Sequence, residues 1–187
     1  MEAVFGFVCL MIASVGPTGF IPGIFAGRIG KGGGTAGSLV GVALQVLCMR
    51  EADGLAYQAL LIVGTFWLGM LVVEPGEMFF LGKRGPQLNH RGELVYHDFN
   101  FTCVDEVFGM LIAGLPLYLF PALTLGDRVG LLILAFLLFR YFDAKKTGWV
   151  KDAENLPGAL GVMADDGVAG VFAAVGVILF RLMGRMC

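Results

Sequence analysis

Six apolar stretches dominate this sequence, at about 3–24, 36–49, 55–73, 104–122, 129–142 and 167–183. A helix needs about 20 apolar residues to cross a hydrocarbon core. The third stretch, "LAYQALLIVGTFWLGMLVV", meets that length, whereas the second and fifth are short and reach only about 21 Å at 1.5 Å per residue. Composition agrees with a chain that uses lipid as part of its solvent. The hydrophobic fraction is 57%, the mean hydropathy is +0.81 and only 15% of residues are charged, against about 25% charged in a soluble domain. The expectation is an all-α membrane bundle of about six apolar helices, some short or kinked, forming one domain over 1–187. Pro17, Pro22 and Pro116 are expected to kink or end their helices. Residues 74–103 form the longest polar interruption and read as loop, with "RGELVYHDF" open to being a brief strand.

A net charge of -2 argues against a nucleic-acid partner. Cys9, Cys48, Cys103 and Cys187 make no CxxC pair and read as reduced, small hydrophobes. The N-terminus has no Lys or Arg before its apolar run, so it reads as retained rather than as a secretory signal. If all six runs cross, 25–35, 74–103 and 143–166 share one side of the membrane. That side carries Arg28, Lys31, Lys83, Arg84, Arg91, Lys145, Lys146 and Lys151, and the other carries Arg50, Arg128, Arg181 and Arg185. Eight against four assigns the first side to the cytoplasm, with both termini outside.

The same side collects the polar chemistry. "GKGGGTAGSL" (30–39) reads as a glycine-rich loop entering a helix, either an anion cradle or a plain loop with Thr35 or Ser38 as N-cap. It is not a P-loop, because Lys31 precedes the glycines. Asp105 and Glu106 open the fourth run, Asp143 closes the fifth, and Asp165 and Asp166 open the sixth. An acidic pair at a helix start can simply complement the helix dipole. Asp143 at a helix C-terminus cannot, although Arg140 three residues earlier can neutralise it. Gly109 follows Asp105 by four residues and Gly170 follows Asp166 by four. Each glycine therefore lies on the face of its aspartate, allowing close helix packing and room for an ion.

Clustered carboxylate oxygens suit Mg²⁺ or Mn²⁺. His90 and His97 form no zinc pattern and read as surface or capping residues. Carboxylates, glycine-loop donors and lysines at one face point to metal-assisted phosphate chemistry. The five acids are candidate ligands or bases, with Asp165 and Asp166 as ligands or as the base that activates water.

Four segments in order, "GRIGKGGGTAGSL", "HDFNFTCVDEVFG", "FRYFDAKK" and "LPGALGVMADDGVAG", resemble the phosphatidylglycerophosphatase A family. The resemblance implies a helical, Mg²⁺-dependent phosphatase of the bacterial inner membrane, multi-pass with its site facing the cytoplasm. Such an enzyme converts phosphatidylglycerophosphate to phosphatidylglycerol and phosphate. The motif residues fall on Gly34, Thr35, Gly37, Ser38, Asp98, Asp105, Glu106, Gly109, Arg140, Asp143, Lys146, Asp165 and Asp166. Asp105, Glu106, Asp143, Asp165 and Asp166 are the expected catalytic and metal residues. Gly34, Thr35, Ser38, Arg140 and Lys146 are the expected phosphate contacts.

Four departures from the family pattern, at Gly30 and Gly33, Phe99, Thr147 and Ala159, remove prolines or a glycine and keep every acid. The expected partner is a phospholipid in the bilayer. Alternatives are another small or lipid phosphomonoester, or a cation transporter with its carboxylates near the midplane of broken helices. A CDP-alcohol phosphotransferase is excluded, because "DGVAGVF" lacks the Arg and later Asp of that motif.

Overall fold

A ten-residue helix sits at the centre. In the computed structural model, which describes residues 2–16, 18, 32–85, 87–88, 94–95, 102–120, 123–146 and 148–184, the order is α1 (Glu2–Ala13), α2 (Gly33–Cys48), α3 (Gly54–Arg84), β1 (Gln87–Leu88), β2 (Leu94–Val95), α4 (Val104–Ala113), a 3-10 turn (Leu115–Leu119), α5 (Leu125–Lys145), α6 (Trp149–Glu154) and α7 (Ala159–Met183). Of the ten residues of α4, Val104, Asp105, Val107, Phe108, Gly109, Met110, Leu111 and Ala113 are buried. Beyond its first turn α4 is apolar all round, as suits a helix in the interior, and α2, α3 and α7 pack around it. One core joins α4 and the 3-10 turn to α5 and α7 through Met110, Leu131, Ala135, Phe139, Ala169 and Ala173. A second joins α1, α3, α4 and α7 through Ala13, Val73, Val104, Phe108 and Met163.

The all-helical expectation holds, with β1 and β2 a two-residue antiparallel pair; β2 falls within "RGELVYHDF". The helix bounds differ from the sequence reading, for local reasons. Among the described residues of the first run, Glu2–Ala13 is helical, and Pro17 and Pro22 lie outside the described residues. The fourth run breaks at Gly114, with Pro116 in the first turn of the 3-10 segment.

The expected loop at 74–103 is helical for its first eleven residues, because α3 continues through Pro75 to Arg84. Pro75 removes one intrahelical N–H, yet Val72, Val73, Gly76, Glu77 and Phe80 remain buried on one face. That burial outweighs the lost bond. The sixth run begins eight residues early, at Ala159. Its N-cap Gly158 has φ 59 and no side-chain cap bond, so no Ser, Thr or Asp announces it.

Several described helix ends gather at one end of the bundle. The start of α2 meets the start of α4, where the Cys103 thiol donates to the Gly33 carbonyl at 3.3 Å and the Cys103 amide donates to Ala13 at the end of α1 at 2.9 Å. The end of α5 meets α7 at the same end of the bundle through Lys146 and Asp165. Glu51, Asp53, Tyr118 and Arg128 gather at the opposite end.

Among the described residues, only α3 and α7 are long and apolar enough to cross a membrane, so six crossings are not established. At 31 residues α3 is long enough to exceed the hydrocarbon thickness. Exposed apolar residues nevertheless line several helices: Leu60, Val63, Trp67 and Leu71 on α3, Val129, Ile133 and Leu137 on α5, and Val171, Val175 and Leu179 on α7.

Candidate functional site

The site forms where the first turn of α4 faces the second turn of α7. Asp105 and Glu106 are the second and third residues of α4, after Cys103 as N-cap. Asp165 and Asp166 are the seventh and eighth residues of α7, not its start. A dipole or capping role falls off within the first turn, so that reading fails for this pair and stands only for Asp105 and Glu106.

Adjacent positions on a helix point about 100° apart, and the two aspartates accordingly have different neighbours. Asp166 turns to α4: one carboxylate oxygen each of Asp105, Glu106 and Asp166 lies within 4.8 Å of the others. Asp165 turns to the end of α5, where its Oδ2 is 2.8 Å from Lys146 Nζ. Its Oδ1 accepts the Asp166 amide at 2.9 Å.

The glycines at i+4 explain the approach of α4 and α7. A Cβ on Gly109 would stand 2.6 Å from the Asp166 carbonyl oxygen, and a Cβ on Gly170 would strike the Gly109 carbonyl. The expected side-chain-free patches are real. The Phe139 ring and the facing backbone fill them, and the carboxylates of Asp105, Glu106 and Asp166 converge one turn away. Gly34 serves a similar end: a Cβ there would collide with Glu106 Oε1 and come 3.0 Å from the Arg140 guanidinium.

The expected glycine loop is helix from Gly33 onward. Gly32, at φ 86, is the N-cap and makes no side-chain cap bond, so neither Thr35 nor Ser38 caps. Thr35 is exposed in the first turn. Ser38 is buried and donates back to the Gly34 carbonyl at 2.7 Å, while Arg140 donates to its hydroxyl at 3.4 Å. Arg140 also holds Asp143 at 2.6 Å, the neutralisation that the i−3 spacing predicts. Lys146, the α5 C-cap in the left-handed region at φ 40, pairs with Glu154 at 3.1 Å as well as with Asp165. The two expected phosphate contacts with charge therefore both sit in ion pairs with carboxylates.

Asp105 and Asp166 are buried, and Glu106 is partly so. Glu106 Oε2 and Asp166 Oδ2 are out of reach of solvent and have no hydrogen-bond partner. Burial first, then the Asp166 carboxylate, hold Glu106 well above the usual carboxylate range. Such a cluster is costly unless a cation or protons neutralise it. Three hard oxygen donors with two orphaned atoms fit a metal ion. Asp143 and Asp165 lie close enough to act on the cluster electrostatically but are engaged by Arg140 and Lys146.

Cys103 beside the cluster is no nucleophile, since burial pushes its thiol up to about 12. Cys9 and Cys48 are also free and buried. Asp98, His90, His97 and Cys187 lie outside the described residues. One buried acid was not foreseen. Glu77, on the part of α3 read as loop, is 2% exposed and accepts from Thr102 Oγ1 at 3.3 Å. The burial spacing 69, 72, 73, 76, 77, 80 was a helical signal running through Pro75.

Fold and site together define an all-helical bundle with a buried acidic cluster able to hold a metal ion. The family model of phosphatidylglycerophosphatase A matches residues 89–181, just under half of the chain and the part that carries all five acids. Over that stretch the chain is similar to the phosphatidylglycerophosphatase A family. A Bacteroides thetaiotaomicron protein with the provisional name phosphatidylinositol-3-phosphatase is 40% identical over 79 residues, which is 42% of this chain and 46% of that relative. The matched stretch thus spans about half the length of this relative. No solved structure matches.

Proposed function

We propose that this protein is a divalent-cation-dependent phosphatase of a membrane lipid phosphomonoester, with phosphatidylglycerophosphate as its substrate. The observation that carries the reading is the buried cluster of Asp105, Glu106 and Asp166, in a stretch that matches the model of a phosphatase family. The relative's name also specifies removal of phosphate from a phospholipid.

Asp105, Glu106 and Asp166 would hold Mg²⁺ or Mn²⁺. When bound, the ion neutralises phosphoryl oxygens and lowers the pKa of water. The protein's own groups do the rest. Arg140 and Lys146, kept at the rim by Asp143 and Asp165, pair with the phosphate oxygens. Arg140 presents a planar fork and Lys146 a compact point charge. The unbonded N–H groups in the first turn of α2, at Gly33, Gly34 and Thr35, add donors at a helix N-terminus. Water forms the new P–O bond as the ester P–O bond breaks. A cluster carboxylate takes the proton of the water, and the leaving alkoxide takes one back.

The bilayer reading rests on α3, α7 and the exposed apolar faces of α3, α5 and α7. Without lipid these faces would be large apolar patches in water. The eight-to-four Lys/Arg division supports a cytoplasmic site, multi-pass in the inner membrane, within a single domain.

One observation favours a cation transporter instead: Asp166 lies two turns inside α7. Asp105 and Glu106 in the first turn of α4, and the cationic rim, favour the phosphatase. The test is phosphate release from purified protein on phosphatidylglycerophosphate, phosphatidylinositol 3-phosphate and glycerol 3-phosphate. The proposal expects phosphatidylglycerophosphate to be the best substrate. Release from glycerol 3-phosphate alone would remove the lipid reading, and release from none would favour the transporter.

A further inference from the structure

The segment Thr102–Cys103 enters α4 and carries Asp105 and Glu106 immediately behind it. It is tied on three sides by contacts far apart in sequence. The Cys103 amide donates to Ala13 at the end of α1. The Cys103 thiol donates to Gly33 at the start of α2. A Cβ on Gly37 would stand 2.8 Å from the Cys103 carbonyl oxygen, so α2 presses directly on this backbone. On the third side, the Thr102 hydroxyl donates to Glu77 Oε1 of α3 at 3.3 Å, and both residues are 2% exposed.

Burying a carboxylate is costly, and Glu77 lies in none of the motifs that carry the resemblance. Its partner is three residues from Asp105. From this geometry we infer that Glu77 is a positioning residue for the acidic centre. Through Thr102 it fixes the first turn of α4 at the register where Asp105 and Glu106 converge with Asp166. The role rests on the cation-binding reading of that cluster. Groups that orient ligands from behind share in metal affinity, and their removal weakens it roughly 10-fold to 100-fold.

The experiment is Mn²⁺ titration of full-length detergent-solubilised protein, followed by electron paramagnetic resonance, with turnover and thermal unfolding measured in parallel. Glu77→Gln keeps an acceptor for the hydroxyl and should bind Mn²⁺ like wild type. Glu77→Ala and Thr102→Val should each weaken binding roughly 10-fold or more. Thr102→Ser should restore binding.

Thr102→Val is close to isosteric, so it keeps the test valid if Glu77→Ala fails to fold. Wild-type affinity in Thr102→Val would overturn the inference. So would equal loss in Glu77→Gln and Glu77→Ala, which would make the charge, not the hydrogen bond, responsible. If wild-type protein bound no Mn²⁺, the cluster reading would fall and this inference with it. If wild type bound and Asp166→Asn did not, that reading would stand independently.

Discussion

Replacing Asp166 with Asn should stabilise the cation-free protein while abolishing its function. Asp166 stands within 4.8 Å of both Asp105 and Glu106. At that distance one fully ionised pair costs about 3.5 kcal/mol for an effective dielectric of about 20. Proton uptake by the cluster relieves part of this, so the gain from removing one charge is on the order of 1–3 kcal/mol. The Asn amide adds a donor beside the orphaned Glu106 Oε2. Saturating Mg²⁺ reverses the order. At 100 times its dissociation constant a ligand stabilises the native state by about 2.7 kcal/mol, and only wild type receives this. Turnover should fall at least about 100-fold. The assay is denaturant unfolding of both proteins in chelator and in Mg²⁺, beside phosphate release. A structural aspartate would give the opposite pattern: Asp166→Asn less stable in chelator, and no difference in the response to Mg²⁺. That result would refute the reasoning.

Asp165→Asn should behave differently, since it breaks the pair with Lys146 instead of relieving repulsion. We expect a loss of roughly 1–2 kcal/mol in both chelator and Mg²⁺, below the 3–5 kcal/mol of a fully buried pair because Lys146 is 26% exposed. Lys146→Met should raise KM for the phosphate substrate more than it weakens Mn²⁺ binding, as read by titration of each. Gly170→Ala places a methyl against the Gly109 carbonyl and should cost about 1–3 kcal/mol by denaturant unfolding, with Mn²⁺ affinity falling as α4 and α7 separate. Single cysteines at Lys151 and Glu51, both exposed and at opposite ends of the bundle, should label from opposite sides of an intact membrane in a background without native cysteines. Labelling from one side would exclude a spanning arrangement.

The sequence made the acidic centre legible because its residues lie at helix-coded spacings. Asp105 and Gly109, and Asp166 and Gly170, are four apart, and that spacing aligned α4 with α7 as expected. The Arg140–Asp143 pairing followed from a separation of three. What stayed hidden lacked a local signal. The start of α7 is announced only by Gly158 at positive φ, so Asp165 and Asp166 read as the opening of the sixth run when they are two turns inside. The third apolar run read as ending at 73, with loop from 74, although buried residues continue at helical spacing beyond it. That misreading concealed Glu77. The division of labour between Asp165 and Asp166 depends on which helices flank α7, and adjacency in sequence carries no trace of it. The partners of Lys146 were equally out of reach, because Glu154 belongs to a six-residue helix with little apolar pattern.

The central claim is that Asp105, Glu106 and Asp166 hold a divalent cation used to hydrolyse a lipid phosphomonoester. Phosphate release from phosphatidylglycerophosphate by purified, chelator-treated protein, before and after Mg²⁺ is restored, tests it most directly. The account predicts negligible release after chelation and full recovery with Mg²⁺ in wild type, with no recovery in Asp166→Asn. Full activity in the presence of chelator, or recovery in Asp166→Asn equal to that of wild type, would contradict it.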